Sequence, residues 1–420
     1  MSRVVDPLHT RARDLDAADP LAPLRDRFVF ADDLLYLDGN SLGRLPAATR
    51  DRLRRAVEEE WGTGLIRSWD SWIDLAREAG DILATGVLDA SPGEVIVTDS
   101  TSVNLYKLAA AALDARPGRS VIVVDDDNFP TDRYVLEGLA RARGLELRTV
   151  AVHMDTGVQV EDLAEVLGPD VALVCLSHVA YRSGARADMP AITEAVHRVG
   201  ALMLWDLCHA AGSVPTPLHA SGADLAVGCT YKYLNAGPGA PAYVYVRADL
   251  QKSITQPIWG WFGQRDQFAM GPDYEPAAGI QQFMVGSPQI FGLMSVIEGA
   301  RITAEAGIEA IAAKGAALTG YAIELFDEWI APHGWTLATP REAKQRGAHV
   351  TVHHPAAWQV TQALKDAGVI PDFRTPDRLR IGFAPLYTRF EDVHEGFVRL
   401  RAIIENESWK NYSTERSRIT

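Results

Sequence analysis

The chain has 420 residues, 47% of them apolar, enough to bury one large core and a second smaller one without metals or disulfides. A formal net charge of −14 excludes a partner gripped through a phosphate backbone, which needs a basic face, so no nucleic-acid partner is expected. Cys175, Cys208 and Cys229 show no CxxC spacing and read as reduced core thiols; the N-terminus has no apolar h-region, and no run approaches a membrane span. The expectation is a cytoplasmic protein with no membrane partner.

In chain order, residues up to about 27 read as a polar arm, and residues 34–37 as a short strand entering the turn cluster Asp38-Gly39-Asn40-Ser41. A helix is expected from Pro46 towards Trp61, with Leu53, Val57 and Trp61 at i, i+4, i+8 on its apolar face. A second spans 74–88. Strand-like runs follow at 95–97, 121–124, 145–150, 171–176, 202–205, 225–227 and 243–246, with helical patterns between them, for example at 103–113, 133–143 and 160–166. Such alternation predicts a mainly parallel sheet covered on both faces. From 290 to 329 the pattern is helical, broken near Gly307 and Gly315. Beyond it an α+β pattern holds runs at 348–353, 360–367 and 378–383, and a polar tail from 406 is expected to fray. The expected division is an arm at 1–45, a large domain at 46–289, and a connecting helix with a smaller domain at 290–420.

The stretch 201–245 carries the chemistry. Apolar residues 202–205 stop at Asp206, as a buried parallel strand does where it reaches the ligand-binding edge of an open sheet. A second run leads to Gly228-Cys229-Thr230-Tyr231-Lys232-Tyr233 and a Gly/Pro-rich turn. Alone, Asp206 reads as a turn or cap residue and Lys232 as a snorkelling surface lysine. Together, each just after an apolar strand, they suit pyridoxal 5'-phosphate: the lysine forms a Schiff base and the acid keeps the ring nitrogen protonated.

WDLCHAAGSVP at 205–215 and GADLAVGCTYKYLNAGPGAPAYVYV at 222–246 resemble the kynureninases, which are fold type I enzymes of the aspartate aminotransferase superfamily. So do YLDGNSLG at 36–43, WGTGLIRSW at 61–69, DSTSVNLYK at 99–107, FPTDRY at 129–134, GWFGQRDQFAM at 260–270 and RIGFAPLYTRFEDV at 380–393. These blocks keep the family's order along nearly the whole chain. The resemblance implies an α/β, transferase-like fold with a mainly parallel sheet and a smaller α+β C-terminal domain. The implied activity is hydrolysis of L-kynurenine to anthranilate and L-alanine, in tryptophan catabolism through the kynurenine pathway towards NAD biosynthesis.

It implies roles as well. Lys232 would hold the cofactor and shuttle the α-proton, Asp206 pair with the ring nitrogen, and Tyr231 serve in late protonation and touch the phosphate. Thr101 and Ser102, at the head of a helix, would bind the phosphate, although as hydroxyl residues they suit a plain N-cap equally. Phe129 would stack on the ring with Asp132 beside it, and Ser177 would reach the ring's hydroxyl side. His209 sits by the cofactor in the family; on local sequence a core histidine is as good a reading. Trp261 and Ser287 match positions that reach the phosphate of a neighbouring subunit, which implies a homodimer. Arg380 matches the arginine that clamps the substrate α-carboxylate, with Asn40 and Ser41 lining the same pocket. No metal is expected, since Phe129 breaks the alternation of Asp125-Asp126-Asp127-Asn128.

The chain also departs from the family. Gln264 stands where a histidine is usual, a short Ala-Gly insertion between Ser71 and Trp72 is missing, and Ser287 and Cys208 replace commoner residues. With Gln264 placed at the aryl end of the substrate, the loss of an imidazole there suggests a ring-hydroxylated or methylated kynurenine, or another γ-oxo amino acid. A different PLP-dependent lyase on another 3-acylalanine, or a non-catalytic member of the fold, stays open.

Overall fold

The computed structural model describes residues 6–30 and 34–416; the rest of the expected arm and tail lies outside them. The strands, in chain order, are β1 (Leu35–Tyr36), β2 (Val95–Val97), β3 (Val121–Asp125), β4 (Glu146–Val150), β5 (Val171–Ser177), β6 (Leu202–Asp206), β7 (Leu225–Gly228), β8 (Tyr243–Val246), β9 (Thr336–Leu337), β10 (His349–His353), β11 (Val369–Ile370), β12 (Asp372–Arg374) and β13 (Arg378–Gly382). Seven of them form the large sheet, in the order β2-β8-β7-β6-β5-β3-β4. All neighbours are parallel except those of β8, which runs antiparallel to β2 and β7. Every residue of β2, β3, β6, β7 and β8 is buried, as continuous apolar runs in a doubly covered sheet should be. Helices Thr101–Asp114, Pro130–Arg143 and Met189–Arg198 supply the crossovers.

A four-stranded antiparallel sheet, β12-β13-β10-β9, makes the smaller unit, and β11 pairs with β1 from the arm. Its core gathers residues between Leu318 and Ile404, together with Leu8, Ala12 and Leu37 of the arm. The large core runs from Ala56 to Ala300, so helix Ile290–Ala306 is packed on it. Among the described residues no helix is long and apolar enough to cross a membrane.

Four local expectations are corrected. Val57 and Trp61 do not face the core: they are 46% and 56% exposed, because the α-helix Ala47–Arg55 widens into a π-helical stretch, Ala56–Gly64, that shifts the periodicity. Residues 160–166 make only a 3₁₀ turn, Val160–Leu163. Gly315 does not break its helix, Ile308–Leu325; it lies against Pro385 and Ala348, and the single break falls at Gly307, at φ +77°. The tail docks up to residue 415, where Trp358 Nε1 donates to Glu415 O at 3.1 Å and Gln359 Nε2 to Tyr412 O at 2.7 Å.

Candidate active site

The C-terminal ends of β5, β6 and β7 open onto a cavity of about 340 Å³ lined by Thr101, Ser102, Phe129, Asp132, Asp206, His209, Tyr231 and Lys232. Parallel register explains the meeting, since Ser177 on β5 lies opposite Asp206 on β6, and Asp206 opposite Val227 on β7. The chain leaves β7 and turns back at once. Asn235, in the left-handed region at φ +56°, donates its N–H to Lys232 O at 3.0 Å, and Ala236 N–H donates to Thr230 O at 3.0 Å. That turn holds Lys232 at 9% exposure, with Nζ 2.9 Å from His209 Nε2. The N-terminal signature braces it from outside, Gly43 N–H donating to Tyr231 O at 2.8 Å. A Cβ at Gly43 would collide with Lys232 O, so this close approach requires glycine.

Asp206 is 6% exposed; its Oδ1 accepts from the Cys208 amide at 2.8 Å, and its Oδ2 lies 3.2 Å from Ser177 Oγ. The same hydroxyl lies 3.1 Å from Asn128 Oδ1. Ser177 thus braces the carboxylate and does not line the cavity. Asp132 Oδ2 is buried without a partner, and burial together with the Asp206 charge pushes this carboxyl well above the usual range. Cys229 and burial likewise raise the Tyr231 phenol, which keeps its proton. Phe129 is 40% exposed at the cavity wall, its ring edge-on to Tyr181 at 5.3 Å.

Across the cavity mouth, helix Thr101–Asp114 begins with Ser100 as N-cap, accepting from Val103 N at 3.4 Å. The first-turn amides of a helix have no intrahelical acceptor and suit an anion. Lys107, wholly buried, anchors this helix: Nζ donates to Asp99 Oδ2 and to Phe283 O, each at 2.7 Å.

Arg380 lies beside this cavity, on β13. It is 0% exposed and absent from the cavity lining. It donates to Tyr181 O at 2.5 Å, to Ser41 Oγ at 2.8 Å and to the Asp372 carboxylate. Asn40, its amide oxygen turned to the guanidinium, accepts from Arg380 Nε at 2.8 Å. Arg374 shares Asp372 at 2.8 Å. A buried guanidinium must be matched by acceptors, and here the chain supplies them itself, so a bidentate hold on a ligand requires one of these partners to yield. Asn40 and Ser41 belong to this cluster beside the cavity.

Trp261 and Gln264 line a separate surface groove of about 390 Å³ with Trp259. Gln264 is tied within its own loop, Oε1 accepting from Glu275 N at 2.7 Å. Neither these two nor Ser287 joins the cavity within one chain. Sequence reasoning missed Gln289, Thr131 and Ala240 in the lining, and Asp372 and His349 behind it. For Asp372 the signal was a charged residue inside an apolar strand pattern; for Gln289, at the head of a helix, there was none.

A family model described as the kynureninase C-terminal domain matches residues 311–400. The chain is 46% identical over 403 residues to a kynureninase of Pseudomonas fluorescens, the alignment covering 94% of this chain and 95% of that one. With a kynureninase of Burkholderia pseudomallei (strain 1106a) it shares 45% over 404 residues, at the same coverages. Among solved structures, an apo cysteine desulfurase from Thermococcus onnurineus NA1 superposes with a TM-score of 0.80 at 19% identity, covering 91% of this chain and 98% of that one. A cysteine desulfurase from Escherichia coli gives a TM-score of 0.78 at 16% identity, covering 92% and 98%. At such identities these two likenesses speak to the fold alone.

Proposed function

The chain belongs to the kynureninase family, and from that premise we propose how its own residues carry the hydrolysis of L-kynurenine, or a ring-modified kynurenine, to an anthranilate and L-alanine. The cofactor is pyridoxal 5'-phosphate. The residues fit it: a buried amine, a buried carboxylate, an aromatic wall and a helix start surround one cavity, and Asp132 in the same lining has a carboxyl oxygen without a partner. When bound, the cofactor supplies an electron sink for bonds at the substrate's α- and β-carbons.

Lys232 holds the cofactor and moves the α-proton, with His209 Nε2, 2.9 Å from its Nζ, as hydrogen-bond partner. Asp206, aimed by the Cys208 amide and Ser177, keeps the ring nitrogen protonated. Thr101, Ser102 and the amides around them receive the phosphate. Tyr231, its proton retained at neutral pH, is the donor for the late protonation of the β-carbon. Arg380 with Asn40 and Ser41 takes the α-carboxylate, and Gln264 is assigned to the aryl end. Trp261 and Ser287 act from a second copy, so the enzyme is a cytoplasmic homodimer with shared sites. Large exposed apolar side chains support this, with Trp259 at 63%, Ile66 at 77%, Phe268 at 70% and Met270 at 72%.

The observation that carries the reading is Lys232, shut from water beside Asp206 where parallel strands end. Purified protein given the cofactor and L-kynurenine should release fluorescent anthranilate and alanine in equal amounts; no anthranilate would sink the assignment. For the ring-modified substrate, kcat/KM should be at least as high on 3-hydroxykynurenine as on kynurenine. A strong preference for the plain compound overturns that part.

A further inference from the structure

Three ring nitrogens behind Lys232 have no hydrogen-bond partner: Nδ1 of His209 and both nitrogens of His349. His349 is 0% exposed and His209 5%, so neither ring meets bulk water. A buried donor or acceptor left unmatched is costly, and such groups in folded proteins call for a partner. The roles given above leave His349 with none.

His349 opens β10, opposite Gly382 of β13. A Cβ at Gly382 would collide with Asn40, so the Asn40–Arg380 cluster lies directly beside this point. On the other side the His349 ring lies 5.6 Å from that of His209, centroid to centroid, tilted by 60°. Gly184, at φ +75°, makes room for it, since a Cβ there would come within 3.1 Å of His349 Nε2. The charged groups facing the two rings are Lys232 after β7, Arg374 on β12 and Arg380 on β13; burial first, then these cations, hold both imidazoles well below their usual range.

A neutral imidazole carries one N–H and one lone pair. If His209 gives its Nε2 lone pair to a proton on the Lys232 nitrogen, its own proton sits on Nδ1, which must then find an acceptor. The neighbouring ring carries one: its centroid lies 5.6 Å away with no direct hydrogen bond between the rings, so a link between them runs through a water. Resting on the reading of Lys232 as the cofactor lysine, we propose that His349 is a positioning residue. It accepts from His209 Nδ1–H through one water, and so keeps the Nε2 lone pair turned towards Lys232. Without it, His209 is free to carry its proton on Nε2, where it opposes a proton on the lysine nitrogen.

The test is a spectroscopic pH titration of the lysine–cofactor linkage in the holoenzyme, comparing wild type with His349→Leu and His349→Gln. The glutamine amide both accepts and donates at similar reach. Wild type and His349→Gln should titrate together, and His349→Leu at least about 0.5 pH unit lower. A leucine variant that titrates with wild type, or a glutamine variant that follows leucine, overturns the proposal, whatever happens to Tm. Should the leucine chain misfold, His349→Phe keeps a ring of similar size without its nitrogens. Histidine ¹⁵N spectra of the cofactor-free chain give a second decision: His209 protonated on Nδ1 is expected, and protonation on Nε2 overturns the idea. That measurement needs neither cofactor nor substrate. A wild-type protein with no Lys232-dependent absorbance would therefore sink the cofactor reading separately.

Discussion

Lys232 and Arg380 are both basic side chains closed off from water, and the surroundings treat them differently. Lys232 meets one imidazole and lines the cavity, so its amine is within reach of a ligand there. Lys232→Ala should therefore lower kcat by roughly 10²–10⁴-fold and abolish covalent cofactor retention after borohydride, read by mass spectrometry. Arg380 is matched on every side. Arg380→Lys loses the planar fork that serves Asn40, Ser41 and Asp372 together. The expectation is a KM raised by about 10-fold, or ~1.4 kcal/mol, with kcat changed less, as steady-state kinetics would read. Asp125, at the end of β3, gives a pH prediction: burial and then the Asp126 charge push its carboxyl up to about 7. An unfolded aspartate titrates near 4, so between these values the folded chain binds the extra proton, and stability falls as pH rises through that window. Asp125→Asn should be more stable than wild type at pH 8, by up to a few kcal/mol, and should gain nothing at pH 4; urea midpoints at the two pH values decide.

At the scale of elements, the turn after β7 is where local sequence and tertiary contact meet. Gly43 is far from this turn in sequence, yet its backbone seats on Tyr231. Gly43→Ala would push the signature segment off the lysine turn. Cofactor affinity should drop at least about 10-fold while far-UV circular dichroism stays native; unchanged affinity would mean the segment has no part in holding Lys232. The strands were legible because both faces of the sheet are covered, which writes continuous apolar runs into the sequence. The stretch after Arg55 was not, because a π-helical widening changes the period that the reading relied on. Arg380 was legible as a residue but not as a geometry: Tyr181 and Ser41 reach it from remote segments, and Asp372 from the neighbouring strand β12.

At the scale of the whole molecule, Trp61, Leu65, Ile66, Trp259 and Phe268 are large exposed apolar side chains of the kind that the proposed dimer would cover. Sedimentation should give a dimer. Mixing Lys232→Ala chains with Trp261→Ala chains, each nearly inactive, should restore about a quarter of wild-type activity, because half the dimers then carry one intact shared site. No restoration would place Trp261 in its own subunit's affairs.

By itself the sequence determined the order of strands and helices, the strand-end positions of Asp206 and Lys232, and the family. Apolar periodicity and short motifs are local properties that survive without coordinates. The tertiary structure decided which groups are matched and which are left over: the closed circuit around Arg380, the Ser177 brace on Asp206, and the unpartnered nitrogens, Nδ1 of His209 and both of His349. Those depend on how separate segments meet in a dry interior, where each hydrogen bond has to be found across the fold.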